Sequence, residues 1–128
     1  MTSTPWGMSD GQQSYGRGVI FYCTPGHGGI HVSKKLNKRI PDYMKDAAFG
    51  GLGHKGWYEE DCDWAIVVVC LANVATLTFG DKQIADAHEL LKSHKPVEYA
   101  QFMAEQTRYA GSTVVTPEIR LAKALESL

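Results

Sequence analysis

The chain has 128 residues, 44% of them hydrophobic, and a formal charge of −1 from 13 Lys and Arg against 14 Asp and Glu. This is one domain with side chains for a single core, and its near-zero charge excludes a whole-molecule field that would draw it to nucleic acid or to an anionic membrane. Cys23, Cys62 and Cys70 lack CxxC spacing, no signal segment opens the chain and no apolar run is long enough to span a bilayer, so a cytoplasmic protein with reduced thiols and no membrane contact is expected.

Met1 to Gly18 is rich in Gly, Ser, Gln and Thr, which predicts a loosely ordered start, with residues 1–11 as a candidate flexible arm. Trp6 is its natural anchor, and a short edge strand follows near Gln12 to Tyr15. Val19 to Cys23 reads as a strand by β-propensity, and Ile30 to Val32 as a second. Between them Thr24-Pro25-Gly26-His27-Gly28-Gly29 demands unusual backbone angles and predicts a hairpin loop. If Thr24 faces Ile30, Cys23 faces His31 across the ladder.

Ser33 can cap a short helix through Ile40, with Leu36 and Ile40 inside and Lys34, Lys35, Lys38 and Arg39 outside. Pro41 ends it or opens the turn Asp42 to Ala48. Phe49 to Gly56 reads as a glycine-rich loop. Glu59 to Phe79 contains neither Gly nor Pro, a length that favours a helix over a strand, and Trp64 to Ala72 is apolar all round, so this helix should be covered on most of its circumference. Glu59, Glu60, Asp61 and Asp63 would then sit near its N-terminus, and a break near Asn73 to Thr78 is compatible with the alternation of Val74, Thr76 and Thr78. Helices follow from Asp81 to Lys92, from Pro96 to about Tyr109, and from a Thr116 cap to the end. The fold expected over residues 1–128 is one α+β domain, a small N-terminal antiparallel sheet packed on a central buried helix with several further helices.

Cys23, His27, His31 and Cys62 carry zinc-binding chemistry, but C-x3-H-x3-H matches no finger or HExxH pattern, so no metal or cofactor is expected from spacing. Cys62 is a poor nucleophile among four carboxylates, which disfavour its thiolate. On a helix those acids fan outward, only Glu59 and Asp63 sharing a face, and dipole compensation accounts for most of them. The lysine strip on the first helix is most simply a solvated face, which makes nucleic acid a weak partner. An enzyme reading pairs His27 and His31 with Glu60 or Asp61 as a small metal-assisted or acid–base hydrolase.

Four ordered blocks, PWG from Pro5, FYCTPGHGGIHVS from Phe21, GWYEEDCDWAIV from Gly56 and PVEYAQF from Pro96, resemble an uncharacterised domain family carried on phages, plasmids and other mobile elements. Cys23 stands here where many members have Ser. The resemblance implies an accessory gene of mobile DNA, for which counter-defence proteins such as anti-CRISPR inhibitors are a common class. Without a catalytic spacing, the function expected is non-catalytic binding to a host defence protein or nuclease complex. The partner-binding set is His27, Gly28, Gly29, His31, Trp57, Tyr58, Glu59, Glu60 and Asp61, with Trp57 and Tyr58 exposed as aromatic anchors.

Overall fold

A computed structural model describes residues 2–110; the helix expected from Thr116 lies outside them. The architecture is α+β. Strands β1 (Ser3–Thr4) and β2 (Gly7–Met8) form a hairpin, and β3 (Gly11–Gly16), β4 (Val19–Cys23), β5 (Gly28–Val32) and β6 (Trp57–Glu59) form a four-stranded antiparallel sheet in chain order. Because strand side chains alternate, the registers Phe21↔Ile30↔Tyr58 and Ile20↔His31↔Trp57 assign the two faces. Val19, Ile30, Val32 and Tyr58 are buried on the inner face, while Ile20, Tyr22, His31 and Trp57 are half-buried on the outer one.

Cys23 pairs with Gly28, so the expected Cys23–His31 facing is wrong. The hairpin turns earlier than the glycine count suggested, because Thr24 and His27 clamp it: the Thr24 N–H donates to the His27 carbonyl at 2.8 Å, the His27 N–H donates to Thr24 Oγ1 at 3.0 Å, and the Thr24 hydroxyl also donates to the His27 carbonyl. Gly28 and Gly29 therefore belong to β5 and not to the loop.

The central helix is present but shorter than expected. Helix α3 runs Trp64–Leu71, and Ala65, Ile66, Val67, Val68 and Leu71 have no exposed surface. It lies between the inner face of the sheet and α4 (Asp81–His94). Fully burying each larger apolar side chain contributes about 1.5–3 kcal/mol, so this helix is the centre of the core. Its expected first turn is instead β6 and a turn, because Trp57-Tyr58-Glu59 alternates out-in-out and pairs with β5. Glu60 N–H extends that ladder to the Gly28 carbonyl at 2.9 Å. Asp63 is the N-cap residue of α3 and no acid lies in the first turn, so dipole compensation applies to Asp63 and does not explain Glu59, Glu60 and Asp61. After Leu71 the chain leaves the helix in the Asn73–Thr78 stretch, where Leu77 bridges to Gly16 and Thr78 N–H donates to the Tyr15 carbonyl.

Within the opening residues Ser9 N–H bonds the Thr2 carbonyl, and Asp10 N–H bonds the Cys23 carbonyl of β4. Helices α1 (Lys34–Asn37) and α2 (Asp42–Ala47) lead into a 3-10 segment, Phe49–Lys55, kinked where Gly50 and Gly51 take φ of +62° and +70°. This segment was expected as loop. It is fastened from within by buried groups: Tyr58 OH donates to Asn37 Oδ1 at 2.6 Å, and Asn37 Nδ2 donates to the Gly53 carbonyl at 2.8 Å. Helix α5 (Pro96–Ala110) packs on α4 and α2. No helix among the described residues is long and apolar enough to cross a membrane.

Candidate functional site

The clamp on the β4–β5 turn fixes His27 at the end of the sheet next to the end of β6. Glu59, on the outer face of β6, pairs with Gly29, and the turn that follows carries Asp61. One ring nitrogen of His27 and one carboxylate oxygen each from Glu59 and Asp61 all lie within 4.8 Å of one another. Glu59 Oε1 also accepts the Asp61 N–H at 3.0 Å, which holds the two acids side by side. Burial first, and then the adjacent Asp61 side chain, raise the pKa of Glu59 above its ordinary value. Two carboxylates with an imidazole at this spacing suit a cation, since metal–ligand distances of about 2.0–2.6 Å place ligands of one ion up to about 5 Å apart.

These three residues line a cavity of about 470 Å³. Trp6 forms one wall, with its indole over Gly29 and edge-on to Trp57 at 5.8 Å. Cys62 and Asp63 line the side toward α3, and Lys95 and His94 close the cavity from the end of α4. Asp63 is buried and accepts the Phe49 N–H at 2.7 Å, which pins the 3-10 segment; burial raises its pKa, opposed by that hydrogen bond and by Lys95. Burial, with the surrounding Asp63, Glu59 and Asp61, raises the pKa of Cys62 too, so it is present as the thiol and is not an activated nucleophile.

The cluster of His27, Glu59 and Asp61 lies within the expected partner-binding set, but it differs from the expected hydrolase set, which has His31 and no Glu59. His31 stands at the other end of β5, its ring 4.5 Å from Trp57 and its pKa lowered by burial. Glu60 faces a separate cavity beside Trp64 and Gln83. Cys23, on an exposed strand end, and Cys62 are not in the cluster with His27. Tyr58 is fully buried by its bond to Asn37 and cannot be an exposed anchor, and Trp57 is half-buried among Trp6, Tyr22 and His31. Gly28 and Gly29 serve packing: a Cβ on Gly29 would lie 2.5 Å from the Trp6 ring and 2.6 Å from the Tyr58 carbonyl oxygen, and one on Gly28 would lie 2.8 Å from the Tyr22 carbonyl oxygen.

Lys95 and His94 were not found by sequence reasoning. Their signal was the following proline, which drives the preceding residue out of the helical region. Lys95 has φ −134° and ψ 61°, so the chain turns there and places this pair at the cavity.

No curated protein and no solved structure matches the chain. A family model described as a domain of unknown function, DUF7007, matches residues 1–124, and the chain belongs to that family.

Proposed function

We propose that the protein is a small metal-assisted hydrolase centred on His27, Glu59 and Asp61. One observation carries this reading: an imidazole and two carboxylates from separate stretches of chain converge within 4.8 Å at a cavity of about 470 Å³. Trp6, His27, Glu59, Asp61 and Cys62, all within the blocks that carry the family resemblance, line that one cavity. Three protein ligands leave positions open, as catalytic sites do and closed structural sites do not. A cation held there would polarise a substrate oxygen and lower the pKa of a bound water. Lys95 supplies a positive charge for an anionic group of the substrate, and Trp6 excludes water from one side.

The test is hydrolysis of chromogenic phosphodiester, phosphomonoester and carboxylic ester substrates with Mn²⁺, Mg²⁺ or Zn²⁺ and with chelator. Cation-dependent turnover that is lost in Glu59→Gln and retained in Glu60→Gln is expected. Turnover by neither the wild type nor any cation combination would refute the reading.

A second reading is the counter-defence role, an anti-CRISPR-like inhibitor that occupies a host defence protein or nuclease complex. The mobile-element resemblance and Phe49 support it. That side chain is 70% exposed beside the cavity, and an exposed aromatic of this kind suits an interface anchor better than buried Tyr58. Phage plating on hosts with and without active CRISPR systems separates the two readings. Inhibition that survives His27→Ala but fails in Phe49→Ala favours binding, whereas the reverse pattern favours the enzyme.

A further inference from the structure

At the opposite end of β5 and β6 from His27 there is a second cleft, of about 380 Å³, where α1, α2 and the 3-10 segment close around Gly56. Lys34 lines it from α1, Lys38 from the C-cap of that helix, Lys45 from α2, and His54 and Lys55 from the 3-10 segment, while no carboxylate lines it. Lys45 reaches Asp42 at 3.3 Å and His54 is paired with Asp46, yet among the described residues Lys34, Lys38 and Lys55 have no acidic partner. By sequence alone the lysine strip is a solvated helix face. The fold instead sets part of it opposite lysines from two other elements, and ammonium groups gathered around a concave surface repel one another unless oxyanions lie between them.

We propose that this cleft and the adjoining outer face of the sheet bind a single strand of nucleic acid. The lysines engage its phosphates. The aromatic side chains decide for a strand over a small polyphosphate: half-buried His31 lines the cleft, its ring is 4.5 Å from Trp57, and Trp57 is 5.8 Å from Tyr22. Bases that leave the cleft along the outer face meet these rings, and base–aromatic stacking on a sheet is a general mode of single-strand recognition. A duplex has its bases already stacked and would use the lysines alone. Two residues further along β6 lies Glu59, beyond the Trp6 indole that covers Gly29, so a bound strand that passes Trp6 would be led toward the His27 cavity. Only this last step rests on the function proposed above; it would make the hydrolysed bond a phosphodiester.

The experiment is fluorescence anisotropy of a labelled oligothymidine with the full chain in chelator, over a salt series. Three engaged lysines predict a slope of log affinity against log salt of about −2, or about 20-fold weaker binding at about 200 mM than at about 50 mM salt. Lys34→Ala/Lys38→Ala/Lys55→Ala, confirmed as folded by its melting, should bind at least about tenfold more weakly and lose most of the salt dependence. Lys82→Ala, on α4 and outside the cleft, should bind as the wild type does, and the chelator keeps this result separate from the fate of the metal site. The proposal is overturned by an absence of binding at low salt, by a triple variant that binds normally, by a duplex that binds as tightly as the single strand, or by tripolyphosphate binding where the oligonucleotide does not.

Discussion

Replacing Gly29 by Ala should destabilise the protein far more than the same change at Gly26, three residues away in the same sequence block. At Gly29 the new methyl would lie 2.5 Å and 2.6 Å from two atoms of the Trp6 ring and 2.6 Å from the carbonyl oxygen of Tyr58. The ring can retreat only by lifting from the strand and from Trp57, and the carbonyl belongs to the β6 backbone. At Gly26 nothing lies within 4 Å of the added methyl. Overpacking a site that cannot relax costs about 1–3 kcal/mol. With an unfolding entropy of about 2.1 cal/mol/K per residue, a loss of about 2 kcal/mol lowers Tm by about 7–9 °C. Thermal melting of both variants by circular dichroism, with tryptophan fluorescence to report on Trp6, is the assay. Gly26→Ala should stay within about 2 °C of the wild type, since surface changes are usually within about 0.5 kcal/mol. Equal Tm values for wild type and Gly29→Ala would refute the packing of Trp6 on β5.

Tyr58→Phe removes the buried hydroxyl that donates to Asn37 Oδ1 and leaves that acceptor without its partner, so urea unfolding should show a loss of about 1–3 kcal/mol; an unchanged midpoint would contradict the network. Burial raises the Asp63 pKa, so the folded chain holds that proton more readily than the unfolded one. The Asp63 contribution to stability is then greatest below the ordinary carboxylate value of about 4 and falls as pH rises through the raised one. Asp63→Asn keeps an oxygen for the Phe49 N–H and removes the buried charge, so its Tm should fall less between about pH 4 and pH 7 than that of the wild type. Parallel Tm curves for the two would show that Asp63 is not the group responsible.

Much of the fold was legible because its signals are local. The run Ala65 to Val69 has no polar side chain and had to be buried, and Val19 to Cys23 has strong β-propensity. What failed depended on distant partners. Trp57-Tyr58-Glu59 continues without a break into the apolar run, and only pairing with β5 makes it a strand. Tyr58 looked like a surface anchor because nothing nearby in sequence says that Asn37 receives its hydroxyl. The candidate site was legible in part: His27, Glu59 and Asp61 all stand in the expected partner-binding set, but the hydrolase reading takes His27 and His31 with Glu60 or Asp61 and leaves Glu59 out. The shift to Glu59 follows from strand alternation, which places Glu59 on the outer face with Trp57 and sends Glu60 toward Trp64. Lys95 and His94 enter from a helix that no local pattern links to the hairpin.

In the proposed site His27, Glu59 and Asp61 together hold one divalent cation. Titration of Mn²⁺ into metal-free protein, followed by electron paramagnetic resonance of the free ion, measures this directly. One equivalent should bind, be lost in His27→Ala and in Glu59→Gln, and be kept in His31→Ala and Glu60→Gln. Binding that is absent in the wild type, or that follows His31 and Glu60 instead, would contradict it.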